Sequence, residues 1–538
     1  MQAVEQEVDE AGLYAAGFIS YEAATGFDAA LITRAPGCFP LLWFGIFKEP
    51  ESINLPVKPA ADADITWQAS ISERDYQRTF RRIKRHIEAG DTYQVNYSFR
   101  LQAPFADDPW SLFLRMIHAQ GSGYGAFVDI GTHSLCSASP ELLFSLNAET
   151  LISRPMKGTV ERGLWSAEDQ SHRDWLAQSE KNRAENVMIV DMVRNDMGRI
   201  ADTGSVQVTH LFDVEKYPTL WQLTSSVRCT TRRSVTDILG ALFPAASITG
   251  APKAHTMQLI AELETSPRNI YTGTIGYLAP NRRAQFNVAI RTVLVDKADH
   301  SAEYGVGGGI VWDSQERSEW QECYAKAKVL GQLATDFDVL ETIRWTPDEG
   351  YFLLDRHMDR LAASADYFSR LIDAATLRAK LAKLADTLPL QPHRVRLLLP
   401  KANEPIVQAY PLKPSAPIYR ARLAKQSIDS KNPFLYHKTT QREVYEQALA
   451  EWPGYDDVVL WNENQQITES CIANIIVELD GKRLTPPVRC GLLAGVYRSW
   501  LLEQGQIVES IITVDDLSRC SGVYLINSVR GLWEVVLD

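Results

Sequence analysis

A lysine set between Pro155 and Gly158 is the first residue of this chain placed to do chemistry. Lys157 stands in Ser153-Arg-Pro-Met-Lys-Gly-Thr-Val-Glu-Arg162, where the backbone is constrained and a side chain can be aimed into a cleft. To act as a free amine it needs its pKa lowered from ~10.4 toward ~7–8, roughly 3–5 kcal/mol of differential stabilisation. Glu319 and Glu322, in Ser318-Glu-Trp-Gln-Glu-Cys323, are three apart, so on a helix they share a face and point at one place. On spacing alone such a pair reads as solvated carboxylates of a helix face. Gly307, Gly308 and Gly309 can bring bare N–H groups to a carboxylate, because no Cβ blocks the approach. Ser247-Ile-Thr-Gly-Ala-Pro-Lys253 opens a helical pattern over 254–263, with Thr249 placed to cap it and Pro252 in its first turn. Each feature alone has a plain reading: a lysine in a surface turn, solvated helix carboxylates, a glycine turn.

The elements that must position these residues come from a long, acidic chain. Its 538 residues exceed one core and imply about two to four domains, and 45% hydrophobic with 23% charged residues is ordinary globular composition. A net charge of -12 without a lysine/arginine block argues against a nucleic-acid partner, so an anionic substrate must be held by local arginines, lysines and amides. Seven cysteines with no C-x-x-C pair suit a reducing cytoplasm. The start, Met1-Gln-Ala-Val-Glu-Gln-Glu-Val-Asp-Glu10, has no apolar h-region and does not read as a signal peptide. No stretch approaches the ~20 apolar residues of a membrane helix; composition points to a cytoplasmic enzyme. Residues 1–64 read as short strands (13–21, 41–48) among turns. Residues 74–90 read as a helix with Tyr76, Phe80, Ile83 and Ile87 on one stripe. Strands are expected at 93–101, 124–129, 135–139 and 142–146, and helices at 185–197, 324–333 and 353–371. A domain boundary is expected near 334–338, dividing 1–335 from 339–538.

The front half, from about Gly17 to Leu333, resembles component I of aminodeoxychorismate synthase, whose Pro-Ile-Lys-Gly-Thr signature Pro155-Met-Lys-Gly-Thr159 matches. Related chorismate enzymes such as anthranilate synthase generally carry alanine at the lysine position. The resemblance implies that Lys157 is a covalent nucleophile and that Glu141, in Ser139-Pro-Glu-Leu-Leu143, is a general acid/base. It makes Glu185, in Ala184-Glu-Asn-Val-Met, and Glu322 magnesium ligands, with Glu319 one turn away. Ser247, Thr249, Tyr271, Arg291 and the loop holding Gly307, Gly308 and Gly309 fall at substrate-holding positions. Two positions depart from many relatives. Gln222 replaces a histidine and cannot protonate a departing hydroxyl, and Asn182 replaces an outer-shell carboxylate. The resemblance also implies an N-terminus shorter than usual for the family, by an expected strand or two.

Residues 339–538 resemble aminodeoxychorismate lyase, within the fold-type IV pyridoxal-phosphate family that also holds branched-chain and D-amino-acid transaminases. His437-Lys-Thr-Thr-Gln-Arg442 places Lys438 at the Schiff-base lysine, and Ile467-Thr-Glu469 places Glu469 beside the pyridine nitrogen. Arg360, Gly495, Val496 and Ser528 match phosphate-holding positions. The usual leading hairpin before Val339 is missing. The implied fold class is α+β: a chorismate-enzyme fold of antiparallel sheets packed face to face with flanking helices, then a fold-type IV α/β domain of two subdomains.

Together the resemblances imply chorismate to 4-amino-4-deoxychorismate, then to 4-aminobenzoate and pyruvate, for folate biosynthesis, with magnesium and pyridoxal phosphate as cofactors. No cysteine lies in a G-x-C-x-G turn, so ammonia is expected from a separate glutamine amidotransferase subunit. A homodimer through the back domain is also allowed. The alternative is an anthranilate synthase-like front half with a transaminase-like back half, since lyase and transaminase share the cofactor residues named. A third reading, a non-catalytic binding subunit, follows if Gln222 and Asn182 mark a degenerate site.

Overall fold

Caps and stripes set the helices that frame both sites. Ser72 accepts from the Asp75 amide to start the helix Glu73–Glu88, which buries Tyr76, Phe80 and Ile83 along one face. Ser179 caps Glu180–Gly198 in the same way, which places Glu185 in its second turn. The structure, a computed structural model, describes residues 1–56, 65–121, 123–331, 337–401, 404–413 and 418–538. Its residues divide into two compact units, Met1–Arg162 with His172–Ala334 and Gly163–Ser171 with Thr335–Asp538.

Among the described residues the first unit holds a nine-stranded and a seven-stranded sheet, in which every pairing is antiparallel. Phe18 and Ile275 of one sheet meet Leu135 and Leu294 of the other in a buried cluster, so the sheets pack face to face. In the seven-stranded sheet Gln94–Pro104 runs against Ser301–Ile310 over ten paired positions. The long helices cover the outer faces, Ile189, Val190 and Val193 against one sheet and Tyr76, Phe80 and Ile83 against the other.

The second unit holds two subdomains. A four-stranded antiparallel sheet built on Val339–Thr346 and His393–Leu399 packs Val395 and Leu397 against Leu361 and Leu377 of two helices. A second sheet mixes parallel and antiparallel pairs around Val459, Ile475 and Leu525.

Several expected elements change. The acidic N-terminus, read with the strands and turns of 1–64, forms the helix Gln2–Ala11, ended by Gly12 at φ 66°. Val8 is buried, and Glu5 accepts from the amides of Val235 and Thr236 at the start of Val235–Leu242. Charge hid a stripe of valines four apart. The helix expected to contain 324–333 spans Glu316–Ala327 and tightens at its end into a short turn at Lys328–Leu330; residues 332 and 333 lie outside those described. The helix expected at 353–371 stops at Tyr367.

Candidate active sites

Lys157 sits on Met156–Glu161, which pairs with Leu220–Thr230. The pairing slips by one residue: Gln222 faces Thr159, but Thr224 faces Met156, so Lys157 and Gly158 together oppose Leu223. This is a β-bulge, a device that re-aims a side chain, and Gly158 supplies its positive φ of 99°. The Lys157 amine is buried, and burial lowers its pKa; Lys326 acts in the same direction, while Glu185, Glu322 and Glu319 oppose it. Gly309 lies against it, for a Cβ there would stand 2.3 Å from Nζ.

The same cavity brings together Glu141, Ser247, Tyr271, Arg291, Glu185, Glu319 and Glu322. Glu141 is 3% exposed, and Ser247 Oγ donates to its Oε1 at 2.6 Å. Burial pushes its carboxyl up to about 7, with the Ser247 hydroxyl, the Met156 amide and Lys157 pulling the other way. Tyr271 lies close against Gly305, where a Cβ would come within 2.1 Å of its ring, and the Arg100 guanidinium lies 5.0 Å over it. Arg291 is held at φ 49°, a conformation uncommon for a long side chain, and burial disfavours its charge.

Three expectations need correction. Gly307, Gly308 and Gly309 are not in a loop but within Ser301–Ile310, paired with Ser98, Tyr97 and Asn96. Their neighbour on the other edge, Thr292–Asp296, pairs only as far as Tyr304, so the backbone of Gly305, Gly307 and Gly309 lines the cavity while Gly308 faces Glu319. Thr249 does not cap Lys253–Leu263. Its hydroxyl donates to Ala245 O at 3.0 Å, outside the cavity lining, and Pro252 takes the N-cap position rather than the first turn. Strand pairing outweighed glycine's loop preference, and a tight 3-10 turn at Ala246–Ile248 turned Thr249 inward.

The carboxylates fit a divalent cation. Burial raises the pKa of Glu185 and of Glu319, and the charge of Glu322 raises Glu319 further. Burial opposes the charge of Glu322 too, but Lys326 outweighs it, sitting 2.7 Å away. Lys326 also donates to Gly307 O at 3.0 Å. Among the described residues no three His, Cys, Asp or Glu side chains close a metal shell by themselves, and magnesium completed by water and substrate needs no more than one or two carboxylates. Lys326, absent from the sequence reading, was signalled by its position four after Glu322.

In the second unit a cavity of about 390 Å³ lies between the two subdomains, within the usual range for a small-molecule site. Lys438, Glu469, Arg360, Gly495, Val496 and Ser528 all line it. Burial pulls the Lys438 amine down to about 8, Arg360 adds to this, and Glu341 opposes it. Burial pushes Glu469 up to about 7 against the Tyr445 hydroxyl and Lys438. Tyr445 donates to one Glu469 oxygen at 2.8 Å and Asn474 to the other at 3.0 Å. Arg360 is clamped by Glu341, Nε to Oε1 at 2.8 Å and a terminal nitrogen to Oε2 at 2.7 Å, with His357 on the same carboxylate. A third N–H goes to Ala494 O, so two of the five guanidinium donors remain for a ligand.

These residues fit pyridoxal phosphate. A Cβ on Gly495 would fall 1.9 Å from Asn474 Oδ1, so only glycine permits this start to the helix Val496–Glu503, whose first amides are free to hold an anion. Glu341, Tyr445, Asn474, Arg394 and Arg396 were missed by the sequence reading; the two arginines line the cavity from the strand His393–Leu399.

Residues 1–332 match the family described as chorismate binding enzyme, and residues 338–537 match amino-transferase class IV. Aminodeoxychorismate synthase component 1 of Klebsiella aerogenes is 38% identical over 286 residues, which is 53% of this chain and 63% of that protein. The Escherichia coli K12 protein of the same name is 38% identical over 280 residues, 51% of this chain and 61% of that one. This chain therefore spans a little over three fifths of the length of these curated relatives. Among solved structures, anthranilate synthase component I from Streptococcus pneumoniae superposes with a TM-score of 0.51 at 27% identity, covering 60% of this chain and 81% of that one. No helix among the described residues is long and apolar enough to cross a membrane.

Proposed function

We propose, for a chain that belongs to the chorismate binding enzyme family through residues 1–332 and carries an amino-transferase class IV domain behind it, two successive reactions. The first turns chorismate and ammonia into 4-amino-4-deoxychorismate. The second releases 4-aminobenzoate and pyruvate. The observation that carries this reading is the buried, low-pKa amine of Lys157 aimed by a bulge into a cavity with Glu141 and three carboxylates. The relatives named aminodeoxychorismate synthase support it.

In the first reaction the Lys157 amine bonds to C2 of chorismate while the C4 hydroxyl departs, taking a proton from Glu141 to leave as water. Ammonia then bonds to C4, and the C2–nitrogen bond breaks to return the electron pair to Lys157. Arg291 and the cavity-lining strand backbone of Gly305 and Gly307 orient the carboxylates. Magnesium, held by Glu185 and Glu322 with Glu319 behind them, would neutralise the substrate carboxylate. Ammonia we assign to a separate glutamine amidotransferase subunit, in the cytoplasm.

In the second reaction pyridoxal phosphate would supply an electron sink beside the substrate's C4. Arg360, the Gly495–Val496 amides and Ser528 hold a phosphate, and Glu469 faces a ring nitrogen. Lys438 takes the C4 proton, and loss of pyruvate then makes the ring aromatic. Arg394 and Arg396 favour a substrate with two carboxylates over an apolar amino acid, which would leave both cations without a partner on it.

Glu141 can donate only while protonated. With its pKa at about 7, the acid form prevails below that pH and is lost above it. At fixed free ammonia, kcat/KM for chorismate is expected to fall about tenfold per unit on the alkaline side. Glu141→Gln should flatten that limb and cost about 10²-fold or more; a wild-type rate that climbs steadily through this range removes Glu141 as the donor.

Glu322→Gln keeps the size of the side chain but removes the charge a hard cation needs. It should raise the magnesium concentration for half-maximal synthase rate by at least about tenfold, as should Glu185→Gln. Turnover of supplied aminodeoxychorismate should not change. An unaltered magnesium titration for Glu322→Gln would take that residue out of the metal site.

A further inference from the structure

The two departures in the front site, Gln222 and Asn182, meet at one residue. Gln222 Nε2 donates to Gly158 O at 2.8 Å, and Thr159 Oγ1 donates to Gln222 Oε1 at 3.0 Å. Gln222 is 5% exposed, so both ends of a buried amide are engaged by the segment that follows the lysine. Beside Gly158 stands Asn182, whose side-chain atoms would lie 3.1 Å from a Cβ on Gly158. Asn182 is itself fixed by donation to Ser179 Oγ at 2.8 Å, on the cap of its own helix.

The bulge gives these contacts their purpose. Where Lys157 and Gly158 oppose a single residue, the ladder is disrupted and a backbone carbonyl needs another donor. The Gln222 side chain provides it. A carbonyl left unpaired in this half-buried strand would relax the bulge, and with it the direction of the Lys157 side chain. We infer that Gln222 forms a clip that positions Lys157, acting through Gly158 and Thr159 and not on the departing hydroxyl, while Asn182 takes up the space beside Gly158. Gln222 is then a working part of the site. The inference rests on the reading of Lys157 as nucleophile, for which a displacement of about 1 Å costs on the order of 10²-fold.

The test is a double-mutant cycle in the full-length protein, assayed with chorismate, magnesium and ammonium. Gln222→Met keeps the length of the side chain and removes both hydrogen bonds; it should lower kcat by about 10–100-fold with KM for chorismate within about threefold. Thr159→Val should also lower kcat, and Thr159→Ser, which keeps the hydroxyl, should recover most of it. The double variant Gln222→Met/Thr159→Val should be no slower than Gln222→Met alone, because the two residues act through one contact. Losses that multiply, a harmless Thr159→Val, or a Gln222→Met effect confined to KM would overturn the clip and put the amide on the substrate. Lys157→Ala in the same assay separates the premises. If it keeps turning over, the nucleophile reading fails; if it is inactive while the losses multiply, only the clip fails.

Discussion

Lys157→Ala should stop aminodeoxychorismate formation, with at least about a 10²-fold loss, while the chain stays folded and still binds chorismate. The size follows from what is removed, a covalent route and the amine that begins it. The selectivity follows from how the site is built. Glu141 keeps its bond from Ser247, Tyr271 stays against Gly305, and Gly158 is still held by Gln222, so none of these contacts runs through the lysine side chain. Burial disfavours the charge of the amine that is removed, which limits the charge imbalance its loss leaves among Glu185, Glu319 and Glu322. The measurement is aminodeoxychorismate release from chorismate, magnesium and ammonium, with chorismate binding by calorimetry. Turnover above about a tenth of wild type would remove lysine as nucleophile. Mass spectrometry of the products shows whether slow anthranilate-type chemistry takes its place.

Which residues the sequence announced depended on how local their signals are. Lys157 is announced by the proline and glycine around it, and Glu319 and Glu322 by helical spacing, and all three line one cavity. The bulge that aims Lys157 was not legible, because a register slip exists only between two strands and Leu220–Thr230 is some sixty residues further on. Thr249 shows the opposite error: a residue suited to capping sat before a helix, and the turn at Ala246–Ile248 spent its hydroxyl elsewhere. Glu341 gave no signal at all. It alternates on Val339–Thr346 like any strand residue, and only the packing of Leu354–Tyr367 brings Arg360 and His357 onto it. That contact holds the Glu341 carboxyl at about 2 despite full burial, through Arg360 and His357. The three glycines were read from their freedom, whereas ten paired positions along Ser301–Ile310 decided their conformation.

Lys438→Ala should halt the pathway at aminodeoxychorismate, with the front half still running on ammonium. Lys438 is anchored through its backbone, its carbonyl accepting from Leu340 N at 2.9 Å, so alanine leaves the chain path intact and removes only the amine. The pocket then lacks both the group that would join the cofactor and the base that would take the C4 proton. Losing proton transfer alone costs about 10²–10⁴-fold. Because burial and Arg360 hold the amine at about 8, an appreciable neutral fraction exists near neutrality in wild type, which a lysine at its ordinary ~10.4 would not offer. Glu469→Ala should be milder in cofactor retention and severe in turnover, since Tyr445 and Asn474 lose the carboxylate they hold and a ring nitrogen loses its partner. The assay is 4-aminobenzoate and pyruvate release from supplied aminodeoxychorismate, run beside transamination of D-alanine and branched-chain amino acids. A Lys438→Ala protein that still forms 4-aminobenzoate at the wild-type rate would end the lyase assignment. A wild type that transaminates amino acids briskly and ignores aminodeoxychorismate would give the back half to a transaminase. In that case Arg394→Ala and Arg396→Ala should leave turnover of branched-chain substrates unchanged, whereas for a lyase each should raise KM for the dicarboxylate by about tenfold or more, as expected for loss of a charge-assisted contact.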